Sequence, residues 1–127
     1  MFEVQGGAVL IQPGESASFD IVFGEPNSYT GNPIIQYPTE QIPEDGTKVR
    51  FSVKVDVSKR KCVIQKDMVI WNGFVTIPLE PRDTMYLPIG EYTWDIRLFF
   101  ENVDYEDPNT PMIPFPFYVT EVVGNVY

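Results

Sequence analysis

A chain of 127 residues with 43% hydrophobic and 14% aromatic content is too apolar to stay disordered, and long enough to bury a core without metals or disulfides. Its formal charge of −9, from 18 acidic and 9 basic residues, disfavours nucleic acid or an anionic membrane as partner, since both need a positive face. With no histidine, imidazole proton transfer, imidazole metal ligands and any Ser-His or Cys-His pair are excluded.

In chain order, Ala8-Val9-Leu10-Ile11 is a short apolar run closed by the turn pair Pro13-Gly14. Ser18 to Phe23 alternates, with Phe19, Ile21 and Phe23 on one face. The segment 24–46 holds Pro26, Pro33, Pro38 and Pro43. It leaves room for one short strand at Ile34–Tyr37, and it is long for a connection inside a compact domain. It is therefore expected to wrap an edge or to carry a contact surface. Thr47 to Val57 is the clearest alternation: Val49, Phe51, Val53, Val55 and Val57 share one face, and Lys48, Arg50, Ser52, Lys54 and Asp56 share the other. That pattern predicts a half-buried antiparallel strand with a wet outer face.

Cys62 to Lys66 and Met68 to Trp71 read as two short strands or one bent one. Asn72-Gly73 is a strong hairpin signal before the strand Phe74–Leu79. Glu80 to Met85 has room for a single helical turn. Next comes a sharp corner at Pro88 and Gly90. A long strand follows, with Tyr92, Trp94, Ile96, Leu98 and Phe100 on one face and Thr93, Asp95 and Arg97 on the other. Residues 102–111 are an acidic hairpin loop, and Met112 to Val123 is a last strand. Pro114 and Pro116 cannot donate to a ladder, so the first half of that strand must lie at a sheet edge or run unpaired.

Seven to nine short strands separated by turn signals predict an all-β fold, an antiparallel β-sandwich, with a small antiparallel barrel as runner-up. Residues 1–127 are read as a single domain with a Pro-rich insert around 24–46. The single cysteine, Cys62, permits no internal disulfide and is read as a small core residue. The N-terminus lacks a basic region followed by an apolar stretch, and no apolar segment approaches the ~20 residues of a membrane span. The chain is accordingly expected to be made in the cytoplasm, with no signal peptide.

Candidate chemistry is sparse. Glu91 with Asp95, or Asp83 with Glu80, are the available carboxylate pairs for glycosidase-like work, but acids flanking a turn read first as solvated. Residues 101–109 are rich in oxygen donors suited to a hard cation such as Ca²⁺, yet match no helix-loop-helix calcium loop; a hydrophilic hairpin tip is the preferred reading. Lys59-Arg60-Lys61 reads as a solvated tip ahead of a small-anion contact. Trp71, Tyr29, Tyr37, Tyr86 and Tyr105 lie in or near turns and are the candidates for stacking on sugars. Trp71 is the best of them, although closure of the core end is preferred for it. Trp94, with apolar alternate neighbours, reads as core. No catalytic, cofactor-binding or metal-binding residue is assigned, and the chain is read as no enzyme.

One segment carries a resemblance. Gly90-Glu91-Tyr92-Thr93-Trp94 resembles the tyrosine corner of immunoglobulin-type sandwiches, with Trp94 standing where a cysteine enters the core. More specifically, Asp83-Thr84, Leu87-Pro88-Ile89-Gly90 and Tyr92-Thr93-Trp94-Asp95-Ile96 resemble the immunoglobulin-like domains of bacteriophage particles, notably the N-terminal domain of baseplate upper proteins. Pro13 to Phe19 resembles their early turn, with Glu15 and Ser16 as departures. The resemblance implies an immunoglobulin-like fold and a non-catalytic structural role in a virion, as tail or baseplate adaptor or as head decoration. Its partners would be other virion proteins and a homo-oligomer, without cofactor, nucleic acid or membrane, and it would be assembled in the host cytoplasm. Strand addition and loop insertion are the expected modes of contact, and the apolar end 122–127 is expected to pack on a partner or on its own domain. A glycan- or protein-binding module at a bacterial surface is the alternative.

Overall fold

The computed structural model describes residues 2–23, 31–37, 43–55, 61–99 and 114–121. Within them the chain is all-β: β1 (Glu3–Gln5), β2 (Ala8–Ile11), β3 (Ala17–Phe23), β4 (Ile34–Tyr37), β5 (Lys48–Lys54), β6 (Cys62–Val69), β7 (Phe74–Leu79), one helical turn α1 (Pro81–Thr84), β8 (Gly90–Phe99) and β9 (Phe115–Val119). Six strands form one sheet in the order β1-β2-β9-β8-β5-β6, and three form another in the order β4-β3-β7. Alternation drives each assignment. In β5, Val49, Phe51 and Val53 are buried, and in β7 Val75, Ile77 and Leu79 are. These side chains meet Phe19, Ile21 and Phe23 of β3 and Trp94, Ile96 and Leu98 of β8 in a single core cluster.

The sheets are mixed rather than purely antiparallel. β2 runs parallel to β9, pairing Val9 with Phe117 and Ile11 with Val119. β4 runs parallel to β3, pairing Asp20 with Ile34 and Phe23 with Tyr37. A parallel pair cannot be joined by a two-residue hairpin: residues 24–33 separate β3 from β4, and nearly the whole chain separates β2 from β9. Turn signals predict antiparallel order because they report only neighbours in sequence. Among the described residues no strand of one sheet pairs with a strand of the other, and Trp71 and Phe74 form an isolated bridge across the β6–β7 turn.

Other differences are local. β1 has no apolar run to announce it. Cys62 to Val69 is one strand, and the Val53–Lys54 irregularity in its pairing with β5 supplies the bend. Val55 is 54% exposed although its alternation places it on the core face; β5 ends at Lys54, so the alternation stops governing it. Val57 and Phe100 lie outside the described residues. The proline rule holds: β9 pairs with β8 from Phe115 onward but with β2 only from Phe117, so at Pro116 one side of the strand carries no ladder.

Trp94 is the hub of the core. Its ring stacks on Phe115 at 4.8 Å between centroids, meets Phe51 at 5.6 Å and reaches Phe19 of the facing sheet at 6.3 Å. Its indole N–H donates to the carbonyl oxygen of Gly7 in the β1–β2 turn at 2.9 Å, which satisfies the one polar group on a fully buried side chain. Gly7 lies against the Phe115 ring with no space for a Cβ. Since Phe115 is itself held by Trp94 and by Tyr37 at 6.3 Å, the ring cannot retreat cheaply. Gly7→Ala is therefore expected to destabilise the fold by about 1–3 kcal/mol through overpacking, read as a lower urea midpoint. An unchanged midpoint would show that the turn is not packed on the core as described. Trp94→Ala is expected to cost ~3–5 kcal/mol and to yield little soluble protein, and a stable, normally folded variant would refute the hub.

Candidate functional site

Most titratable side chains are committed to structure. Asp83 accepts the Glu80 backbone N–H at 2.7 Å, as a helix cap, and bridges Lys66 at 2.8 Å. Glu80 lies 2.9 Å from Arg82 on the exposed side of α1. Glu91 is exposed and Asp95 is buried. They sit four residues apart on one strand face, ~13 Å along the strand, beyond the carboxylate spacing of glycoside hydrolysis. No group of three or more His, Cys, Asp or Glu able to hold a metal ion occurs among the described residues. Nor is any helix there long and apolar enough to cross a membrane. Residues 101–109, Tyr29, Tyr105, Lys59, Arg60 and 122–127 lie outside the described residues. Cys62 is half-buried, at the start of edge strand β6.

The outward face of the larger sheet differs from the expected wet surface. Ser52, Lys54 and Asp95 on that face are 4%, 8% and 3% exposed. Burial pushes the Asp95 carboxyl above the usual range, and the positive charges of Lys54 and Arg97 partly offset it. Lys54 Nζ stands 3.9 Å from Asp95 Oδ2, while Oδ1 has no hydrogen-bond partner. On the smaller sheet, buried Asp20 accepts from Thr76 at 2.7 Å and from the Asn32 side chain at 3.2 Å. That network ties β3 to β7 and to the start of β4.

The sheet edges are guarded against another strand. β1 and β4 are three and four residues long. β7 carries Pro78, which has no donor. β6 carries Lys66 opposite Phe51, on the core side. Short strands, proline and inward charge are the usual defences against edge pairing, so strand addition is a poor mode of contact for the described edges.

One end of the molecule is the more promising surface. Phe23 N–H donates to the Gly73 carbonyl at 2.7 Å, and Ile70 N–H to the Thr47 carbonyl at 2.9 Å. Lys48 lies opposite both Phe99 and Val69. The last described residues before the Pro-rich insert and before the acidic loop, Phe23 and Phe99, therefore share an end with the β6–β7 turn. Asn72 and Gly73 have φ of 56° and 79°, which the left-handed two-residue hairpin requires. Trp71 and Phe74 close the hairpin with bonds of 3.1 and 3.2 Å, and Asp45 Oδ1 accepts the Asn72 N–H at 2.8 Å. Trp71 is 58% exposed on this rigid turn and does not close the core as expected. Tyr37, by contrast, is buried, and Tyr86 is exposed near the other end, beside Met85 and Ile89.

On the outward face of the larger sheet is a recess of about 300 Å³ lined by Lys48, Val49, Asp67, Met68, Val69 and Phe99. Arg50 lies over the Phe99 ring at 5.4 Å and grips Asp67 through two bonds of 2.8 and 3.1 Å. Those bonds hold Asp67 below the usual carboxylate range. Sequence reasoning found Trp71 by its place before Asn72-Gly73 but missed the recess. Its walls come from three strands, and no local pattern brings residues 48, 67 and 99 together.

Comparison with models of known protein families, with curated proteins and with solved structures gives no match to this chain.

The Lys54–Asp95 contact makes a pH-dependent prediction. A carboxyl whose folded pKa is raised costs the folded state while ionised, and that cost vanishes as pH falls through the raised pKa. Lys54→Met leaves Asp95 buried without its nearest counter-charge. The variant is expected to lose about 3 kcal/mol near neutral pH, and the gap to the parent is expected to narrow on acidification. Urea unfolding across a pH series checks this, and a gap constant with pH would contradict it.

Proposed function

We propose that this chain is an immunoglobulin-like β-sandwich acting as a non-catalytic structural component of a bacteriophage virion, a tail or baseplate adaptor or a head decoration that works through protein contacts. The observation that carries the fold reading is the corner at β8. The Tyr92 hydroxyl donates to the Pro88 carbonyl oxygen at 2.8 Å, the backward bond that defines a tyrosine corner. Two residues on, Trp94 takes the place of the core cysteine and packs on Phe19 of the facing sheet. The strand order supports the same reading. β9, β8, β5 and β6 match the G, F, C and C′ strands of a variable-type sheet, and β3 and β7 match B and E. β4 is an addition, supplied by the Pro-rich insert on the flank of β3.

The virion role rests on the resemblance of the corner segment to phage particle domains, and on the commitment of Glu80, Asp83 and Asp95 to a cap, bridges and burial. If the corner holds as described, Tyr92→Phe is expected to lower stability by about 1 kcal/mol, the net worth of one hydrogen bond, with little change in packing. An unaffected melting temperature would count against the corner. For the role, the chain is expected to sediment with particles made from its source genome, detected by mass spectrometry of gradient-purified virions. Recovery only in the soluble fraction, as a monomer, would overturn it.

A further inference from the structure

We propose that copies of this chain join head to tail, with Tyr86 of one copy entering the recess on the larger sheet of the next. The contact is independent of the virion reading.

The knob is a rigid apolar loop. Met85, Tyr86 and Ile89 are 46%, 86% and 50% exposed, and no charged residue occurs from Thr84 to Gly90. Both ends of the loop are pinned. Leu87 N–H donates to the Thr84 carbonyl at 2.9 Å, and the hydroxyl of fully buried Thr84 accepts the Gly14 N–H at 2.9 Å. At the other end the Tyr92 hydroxyl holds the Pro88 carbonyl oxygen. A tyrosine on such a loop loses little entropy when it is covered, and it offers a large apolar ring with one polar tip.

The pocket is the recess of about 300 Å³, walled by Met68, Val69 and Phe99 and rimmed by Lys48 and Asp67. That volume is at the small end of ligand sites and suits one large side chain. A buried phenol needs a hydrogen-bond partner, and Asp67 supplies it. Two bonds to Arg50 fix the carboxylate, while its side chain keeps 61% of its surface in solvent. An ionised carboxylate has about four acceptor sites, so the Tyr86 hydroxyl donates to Asp67 without displacing Arg50.

Charge selects a second copy as the occupant. A chain with net charge −9 repels itself, so a contact between copies needs a local match of opposite charges. Arg50 lies opposite Arg97 on one side and Asp67 on the other, and Lys48 follows Arg50 on the same face. Three cations and one anion therefore surround the recess. The Tyr86 loop is flanked by exposed Glu80 and Glu91, with Arg82 as the one exposed cation between them.

Position makes the contact heterologous. β8 begins at Gly90, next to the loop, and ends at Phe99, in the wall of the recess. Knob and pocket thus stand ~30 Å apart along one strand, and a copy cannot fill its own recess. A patch that fits a pocket elsewhere on the molecule builds a ring or an open file of copies, not a two-fold dimer. One tyrosine and its loop bury far less than the ~800 Å² per partner of a standard interface, so a single contact is weak and association rises with concentration.

The test uses the full chain. Sedimentation velocity over a dilution series is expected to give a coefficient that rises with concentration. Amide resonances are expected to shift at two places together, the 85–90 loop and the recess. Tyr86→Ser removes the knob and Val69→Trp fills the pocket. Both positions are exposed, so melting temperatures are expected to hold, and each variant alone is expected to be monomeric. Mixed, the two variants keep one knob and one pocket between them. They are expected to form a one-to-one dimer and nothing larger, with isotope-labelled Tyr86→Ser shifting at the recess and not at the loop. If Val69→Trp proves unstable, Lys48→Glu takes its place at the rim. A parent chain that stays monomeric across the series, a pocket variant that associates as the parent does, or a mixture that stays monomeric would overturn the proposal. A two-fold dimer through Tyr86 alone would appear as the second of these outcomes, and particle association would be left standing in each case.

Discussion

The fold depends on how one large side chain is accommodated. Trp94 is fully buried where the two sheets face each other, and burial of an indole is tolerable only if its N–H finds an acceptor. The acceptor is the Gly7 carbonyl, 87 residues away in sequence. This bond brings the β1–β2 turn over the core, and the close approach demands a residue without a side chain at position 7. β2 then lies beside β9, in the parallel pairing that completes that flank of the larger sheet. Phe115, Phe51 and Phe19 surround the same ring and carry its contacts into β9, β5 and the opposite sheet. A side chain whose removal costs ~3–5 kcal/mol holds a large share of the ~5–15 kcal/mol that keeps a domain folded.

Much of this was legible because alternation is a local signal. Val49, Phe51 and Val53, or Tyr92, Trp94 and Ile96, identify their buried face within a few residues, and Asn72-Gly73 identifies its turn within two. The corner was legible for the same reason, since Tyr92 reaches back only four residues to Pro88. Whatever depends on distant pairing was not. The parallel partners of β2 and β3 could not be read from turn signals. Alternation also could not tell that Ser52, Lys54 and Asp95 on the outward face are buried, because a polar residue in the right phase looks solvated whether or not it is. The recess escaped for a related reason, since its walls lie on strands far apart in the chain.

The distribution of exposed chemistry separates scaffold from working surface. The titratable pairs suggested by spacing are tied up: Asp83 caps a helical turn, and Asp95 faces Lys54 in a buried pair. The described sheet edges are short, proline-bearing or charged inward, which discourages strand addition. Among the described residues the exposed large hydrophobics lie mainly at two places: Trp71, at the end where β3 and β8 stop, and Met85, Tyr86 and Ile89 near the other end. The core around Trp94 holds the fold, and the indole of Trp71 stands exposed on the β6–β7 turn, apart from that core.

The central claim is that the Trp94–Gly7 bond is a global feature of the folded state rather than a local contact. Hydrogen exchange of the Trp94 indole N–H tests it directly. A fully buried N–H bonded across 87 residues is expected to exchange only through global unfolding, at the rate of the slowest backbone amides of β5 and β8. Exchange much faster than those amides would show that the β1–β2 turn opens independently of the core, and would contradict the account.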